Sequence, residues 1–194
     1  MAKRQAKAAM AATILAGVMV GDVAAAAPPE LITVVVHVKD CERVPARELA
    51  AAKQLASDVY EQIGVQLLWT DGASALAPSD GLRHVDLFIL DAAMTARHNS
   101  DPVVFGQAGH LTGRAYIYYP RILAYAIRSN SEPARVLALV FAHELGHVLL
   151  PAYSHGPTGL MRAAWEGRIV AVPAFDPPQA DTIRATLTAR QSVE

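Results

Sequence analysis

His143 and His147 stand four residues apart in the run His-Glu-Leu-Gly-His, with Glu144 between them. On a helix, four residues is just over one turn, so both imidazoles leave the same face and can share a metal ion. Glu144 lies about 100° around the helix from His143, where a carboxylate can take a proton without acting as a ligand. Zinc lowers the pKa of a water it holds to about 7, and a general base that accepts the water's proton is typically worth about 10²–10⁴-fold. The triplet therefore spells hydrolysis by an activated water, with Glu144 as the catalytic base.

A catalytic zinc takes three protein ligands and keeps one position open. His155 is the first candidate for the third ligand: it follows the helix stop at Pro151, where the chain can turn back beneath the helix. Glu166 and Asp176 are the alternatives. His37, His84, His98 and His110 show no ligand spacing and read as ordinary polar residues.

The element that must carry this chemistry is a helix over Arg135 to Leu150, apolar on nearly every side. Such a helix belongs at the centre of a fold, and a histidine or carboxylate buried there needs a partner, which a metal supplies. Ser131 is placed to cap it, with Pro133 in its first turn. Upstream, Leu31 to Val38 is a β-branched run that reads as a buried strand. Leu49, Ala52, Ala56, Val59, Tyr60 and Ile63 then recur at helical spacing until Gly64 stops the pattern. Val65–Trp69, Val85–Leu90, Val103–Gln107 and Ala115–Tyr119 read as further strands, with a long loop from Asp91 to Pro102. After Pro177 and Pro178 an Ile183/Leu187 pattern predicts a closing surface helix. Strand, helix, strand in succession predicts a right-handed crossover and parallel pairing. The expectation is an α/β fold: a mixed, mostly parallel twisted sheet of about five strands, a crossover helix, a central helix bearing the chemistry, and a C-terminal part with one helix.

Composition limits the partners. The chain has 194 residues, 53% of them apolar and 18% charged, which suits one globular domain. A formal net charge of −1, with no basic run beyond the first seven residues, argues against nucleic acid. Lys3, Arg4 and Lys7 precede an apolar run from about Ala8 to Val20 and Ala-rich sequence to Ala27. That order describes a secretory signal peptide over residues 1–27, cleaved among Ala25 to Ala27, with residues 28–194 as the mature domain. The run is shorter than the roughly 20 apolar residues that span a bilayer. The mature chain is thus expected without a membrane segment, secreted or periplasmic. Cys41 is the only cysteine, so no intrachain disulfide can form.

The stretch HELGHVLLPAYSHGPTGLM resembles the active-site region of the metzincins, zinc peptidases with H-E-x-x-H-x-x-G-x-x-H followed by a methionine turn. The resemblance implies a zincin-like α+β fold, one catalytic Zn²⁺ and a polypeptide substrate, hence a zinc metalloendopeptidase. It assigns zinc to His143 and His147 and the base to Glu144. Leu150 and Tyr153 occupy the positions of the turn glycine and third histidine, so His155 takes the ligand role only through a longer loop. Met161 follows His155 by six residues and corresponds to the methionine of the turn, and Tyr153 is placed to donate its phenol to a developing oxyanion. In the order of elements, Val103–Gln107 matches the metzincin edge strand that pairs with extended substrate. A different zinc hydrolase or amidase, or a non-catalytic zinc-containing binding domain, is the competing reading; the base in the motif favours the peptidase.

Overall fold

The structure, a computed structural model, describes residues 31–72, 81–152 and 154–191. The basic and apolar start of the chain lies outside them, as does Tyr153. Strand β1 (Ile32–Asp40) leads into helix α1 (Ala46–Glu61), and Gly64, at φ +74°, turns the chain into β2 (Val65–Asp71). Next come β3 (Arg83–Leu90), α2 (Ala92–His98), β4 (Gly106–Gly109), β5 (Arg114–Tyr118), α3 (Tyr119–Ser129), α4 (Pro133–Leu149) and α5 (Pro177–Gln191).

The sheet order is β2-β1-β3-β5-β4. The first four strands pair parallel, and β4 closes the edge antiparallel to β5. This is the mixed, mostly parallel sheet expected, with α1 as the crossover between β1 and β2. Val34, Val36, Val38, Val85, Leu87, Ile89, Ala115 and Ile117 alternate inward along three strands and join one core with α1, α4 and α5. Within that core the Tyr60 hydroxyl donates to the carbonyl of Ala142 at 3.0 Å, tying α1 to the middle of α4.

Helix α4 is buried along almost its whole length, from Val136 to Gly146 without interruption. It therefore sits where its all-round apolar sequence put it. The helix at the C-terminus closes the fold as expected, an outer helix that buries Ile183 and Leu187 and leaves Asp181, Arg184 and Ala185 exposed.

Three local expectations are corrected. The strand expected over Val103–Gln107 runs over Gly106–Gly109 instead. Arg121 explains the shift, because its guanidinium donates to the carbonyls of Val104 at 2.7 Å and Asn99 at 2.5 Å, holding this segment with a side chain where a strand would need a backbone partner. Ser131 does not cap α4; Glu132 takes that position without a side-chain hydrogen bond. The Ser131 hydroxyl instead accepts the backbone N–H of Ile169 at 2.8 Å, anchoring the segment beyond the candidate site. The long loop after Asp91 contains α2, capped by the Asp91 carboxylate accepting from Met94 N at 2.7 Å. Helix α3, for which the sequence analysis had no reading, starts at the very end of β5 and finishes at Asn130 in the left-handed conformation.

Candidate metal centre

Burial of α4 fixes where its polar residues can point. His143 and Glu144 are each 5% exposed and His147 is half-buried, whereas His155 is exposed on the loop after the helix. The three histidines converge: His147 Nε2 lies 3.0 Å from His143 Nε2 and 3.0 Å from His155 Nε2. They are the group of metal-ligating side chains found clustered among the described residues. Glu166 and Asp176, the alternatives for the third position, are not in the cluster. Asp176 accepts the Thr158 hydroxyl at 2.9 Å, and Glu166 stands at the mouth of the adjoining cavity.

Hydrogen bonds behind the rings orient them. His143 Nδ1 lies 3.0 Å from the Leu160 carbonyl, which can only accept, so Nδ1 carries the proton and Nε2 presents a lone pair to the cluster. His147 Nδ1 meets Ser154 Oγ at 3.1 Å. Without a cation, one N–H on His147 could serve one neighbour but not both. A zinc ion bound at about 2.0–2.1 Å would serve all three, since tetrahedral coordination sets nitrogens about 3.3 Å apart. The donor set and its spacing fit zinc. Burial first, with the Leu160 bond opposing and His155 adding to it, lowers the His143 pKa to about 4. Burial, then His143 and His155, lowers that of His147 to about 3. Both rings are held in the neutral form that ligates metals.

Glu144 differs from the histidines in carrying a buried oxygen, Oε2, without a hydrogen-bond partner among the described residues. Burial raises its pKa to about 8. It borders a cavity of about 620 Å³ that the three histidines also line. Gly106 of β4 makes room for this carboxylate: a Cβ there would lie 2.6 Å from Glu144 Oε1. Gly146 plays the same part on the other side of α4, where a Cβ would lie 2.5 Å from the sulfur of the fully buried Met161. Met161 thus packs against the helical turn between the two histidines.

Sequence reasoning missed several cavity walls. Trp165 meets His143 edge-to-face at 4.7 Å, and its indole nitrogen is buried with no partner among the described residues. Tyr125 of α3 closes the far end, its hydroxyl donating to the Gly167 carbonyl at 2.7 Å and its ring against Phe105. Tyr125 lies on a helix that was not anticipated, and Trp165 carries no spacing signal; the glycines Gly106 and Gly109 did carry one, since glycine in a strand marks close backbone approach, and Gly106 is where Glu144 comes close.

No protein-family model matches the sequence, and no curated protein matches it either. The fold does have solved relatives. The chain is similar to archaemetzincin from Methanopyrus kandleri, with a TM-score of 0.54 and 15% identity over 82% of this chain and 97% of that one. It also aligns with a zinc-dependent peptidase from Methanocorpusculum labreanum at a TM-score of 0.44 and 15% identity, covering 79% of this chain and 99% of that one. The archaemetzincin alignment shows that the two proteins share an α/β fold.

Proposed function

We propose that the protein is a zinc-dependent, metzincin-like peptidase in which His143, His147 and His155 hold one zinc ion and Glu144 is the general base. The observation that carries this reading is the convergence of three imidazole nitrogens beside a buried carboxylate with an unpartnered oxygen, all on one cavity. The shared fold of a protein called archaemetzincin supports it.

Zinc, when bound, supplies Lewis acidity that makes a water acidic and polarises a carbonyl. The chain's own residues do the rest. Glu144 Oε2, without another partner among the described residues, accepts a proton from the attacking water and delivers it to the leaving amine. The β4 edge lies across the cavity from the histidines and offers main-chain groups to an extended polypeptide. The Leu160 carbonyl orients the His143 ring, and Met161 packs against Gly146 in the turn between the two histidines. The N-terminal signal is part of the proposal: the chain is exported and cleaved among Ala25 to Ala27, which N-terminal sequencing of secreted material would read directly.

The deciding experiment compares wild type with Glu144→Ala for bound zinc and for cleavage of unfolded protein substrates. One zinc per chain in both, with cleavage in wild type alone, is the expected result. Equal cleavage in both proteins would remove Glu144 from the mechanism, and zinc without cleavage in wild type would turn the reading toward a non-peptidase hydrolase or a binding domain.

A further inference from the structure

A second cavity, of about 500 Å³, lies on the other face of the sheet. Its strand residues Lys39, Phe88, Leu90, Arg114 and Tyr116 alternate with core-facing neighbours, so they point away from α1 and α4. Lys39, Phe88 and Tyr116 stand in one row across β1, β3 and β5. The Phe88 and Tyr116 rings lie 5.3 Å apart and within 20° of parallel, forming an aromatic floor. Helix α2 supplies a wall through Met94, Arg97 and His98, with the His98 ring 4.2 Å from that of Tyr116. Lys39 and Leu90 place part of its lining at the carboxyl ends of parallel strands β1 and β3, where open parallel sheets bind ligands.

Its charge is one-sided. Lys39, Arg97 and Arg114 line it, no carboxylate does, and none of the three forms an ion pair among the described residues. The carboxylates nearby have other duties. Asp40 accepts the backbone N–H groups of Glu42, Arg43 and Val44, and Asp91 caps α2. Asp86, the register partner of Arg114, is not part of the cavity lining. Three cations gathered around an aromatic floor are conspicuous in a chain of formal net charge −1.

We propose that this cavity binds a small aromatic oxyanion, its head group held by Lys39, Arg97 and Arg114 and its ring laid on Phe88 and Tyr116. Guanidinium groups suit planar or phosphate-like oxyanions, and the volume falls in the roughly 300–1,000 Å³ typical of small-molecule sites. The site is separate from the histidine cluster and does not depend on the peptidase reading.

Cys41 makes the test specific, because it lines this cavity half-buried and is the chain's only cysteine. Phenyl phosphate is titrated into the full chain by calorimetry, and labelling of Cys41 by neutral 4,4′-dithiodipyridine is timed in parallel. Phenyl phosphate is expected to bind with a Kd of about 1 mM and to slow Cys41 labelling saturably, with inorganic phosphate and phenol each about tenfold weaker. The double variant Arg97→Ala/Arg114→Ala, both exposed positions, is expected to lose about tenfold in affinity with an unchanged circular dichroism spectrum. Absence of binding, or binding undiminished in the double variant, overturns the proposal. Equal affinity for inorganic phosphate overturns the part assigned to the aromatic floor.

Discussion

Two stretches only a few residues apart build the candidate metal centre by different means. Helix α4 carries His143, Glu144 and His147 in a wholly packed setting, where backbone hydrogen bonds and core neighbours fix each Cα–Cβ direction. The segment after the helix, whose described residues between Leu150 and Met161 belong to no helix or named strand, brings His155 to the same point from an exposed position. On the helix, geometry comes from the period of the backbone. On the loop it comes from discrete ties: Gly156 N–H to the Met161 carbonyl at 2.8 Å, Thr158 to Asp176, and the Gln179 amide to the Ser154 carbonyl at 3.2 Å. The helix thus supplies a rigid pair of donors, and the third depends on the start of α5.

The largest effect should separate these two kinds of ligand. His143→Ala removes a buried donor in the fixed pair and leaves Leu160 O without its proton donor, so zinc binding should be abolished. His155→Ala leaves the pair in place and should weaken zinc by orders of magnitude while retaining residual binding. Competition with a chelator of known affinity measures both. Equal loss in the two variants would erase the distinction between helix and loop.

Stability should respond on the helix side. Gly146→Ala gains about 1 kcal/mol of helix propensity but forces a methyl group against Met161 Sδ at 2.5 Å and Phe175 Cε1 at 3.2 Å. Overpacking of this sort costs about 1–3 kcal/mol, and with Met161 fully buried the cost should win. A lower midpoint in urea is expected. A higher one would mean that Met161 moves aside freely and does not brace the turn.

Glu144 gives the helix side a pH signature in the metal-free chain. Its pKa is about 8 in the fold against 4.5 when exposed, so between those values the folded state binds more protons than the unfolded one. By linkage, its contribution is fully present below about pH 4.5 and is lost as pH rises toward 8. His143 and His147, lowered to about 4 and about 3, act in the opposite sense and cost stability as pH falls below about 6.5. Comparing wild type with Glu144→Gln isolates the carboxylate: the variant should lose less stability between pH 5 and 8. Parallel curves would show that Glu144 stays charged through another arrangement.

The same contrast explains what could be read in advance. The helix was legible because a 3.6-residue period, an apolar surround and two histidines four apart all demand one geometry. The strands β1, β2, β3 and β5 were legible for a similar reason, their β-branched and aromatic runs ending at Gly, Pro or Asp. What escaped is what rests on single side chains reaching across the chain. Arg121 moved the edge strand by taking the Val104 carbonyl, and Ser131 left its capping position to hold Ile169. Trp165 reached the histidines from a segment with no period at all. His155 could be named from the sequence because the zinc chemistry required a third donor, though the ties that hold its loop could not.

Those ties carry the smallest and most informative prediction. Gln179 sits in the first turn of α5, accepts the Asp176 N–H at 3.3 Å and donates to the carbonyl of Ser154, the residue before His155. The Ser154 hydroxyl in turn meets His147 Nδ1. Gln179→Ala removes no ligand and empties no core site, so the fold should keep its unfolding midpoint. Zinc affinity should nevertheless fall about tenfold, at the lower end of the 10–100-fold that outer partners of a metal site are typically worth. Gln179→Glu, which keeps the acceptor for Asp176 N–H and loses the donor to Ser154, should bind as poorly as Gln179→Ala. If it binds like wild type instead, the α5 end of the network holds the loop through Asp176 alone, and Ser154 takes its position from His147.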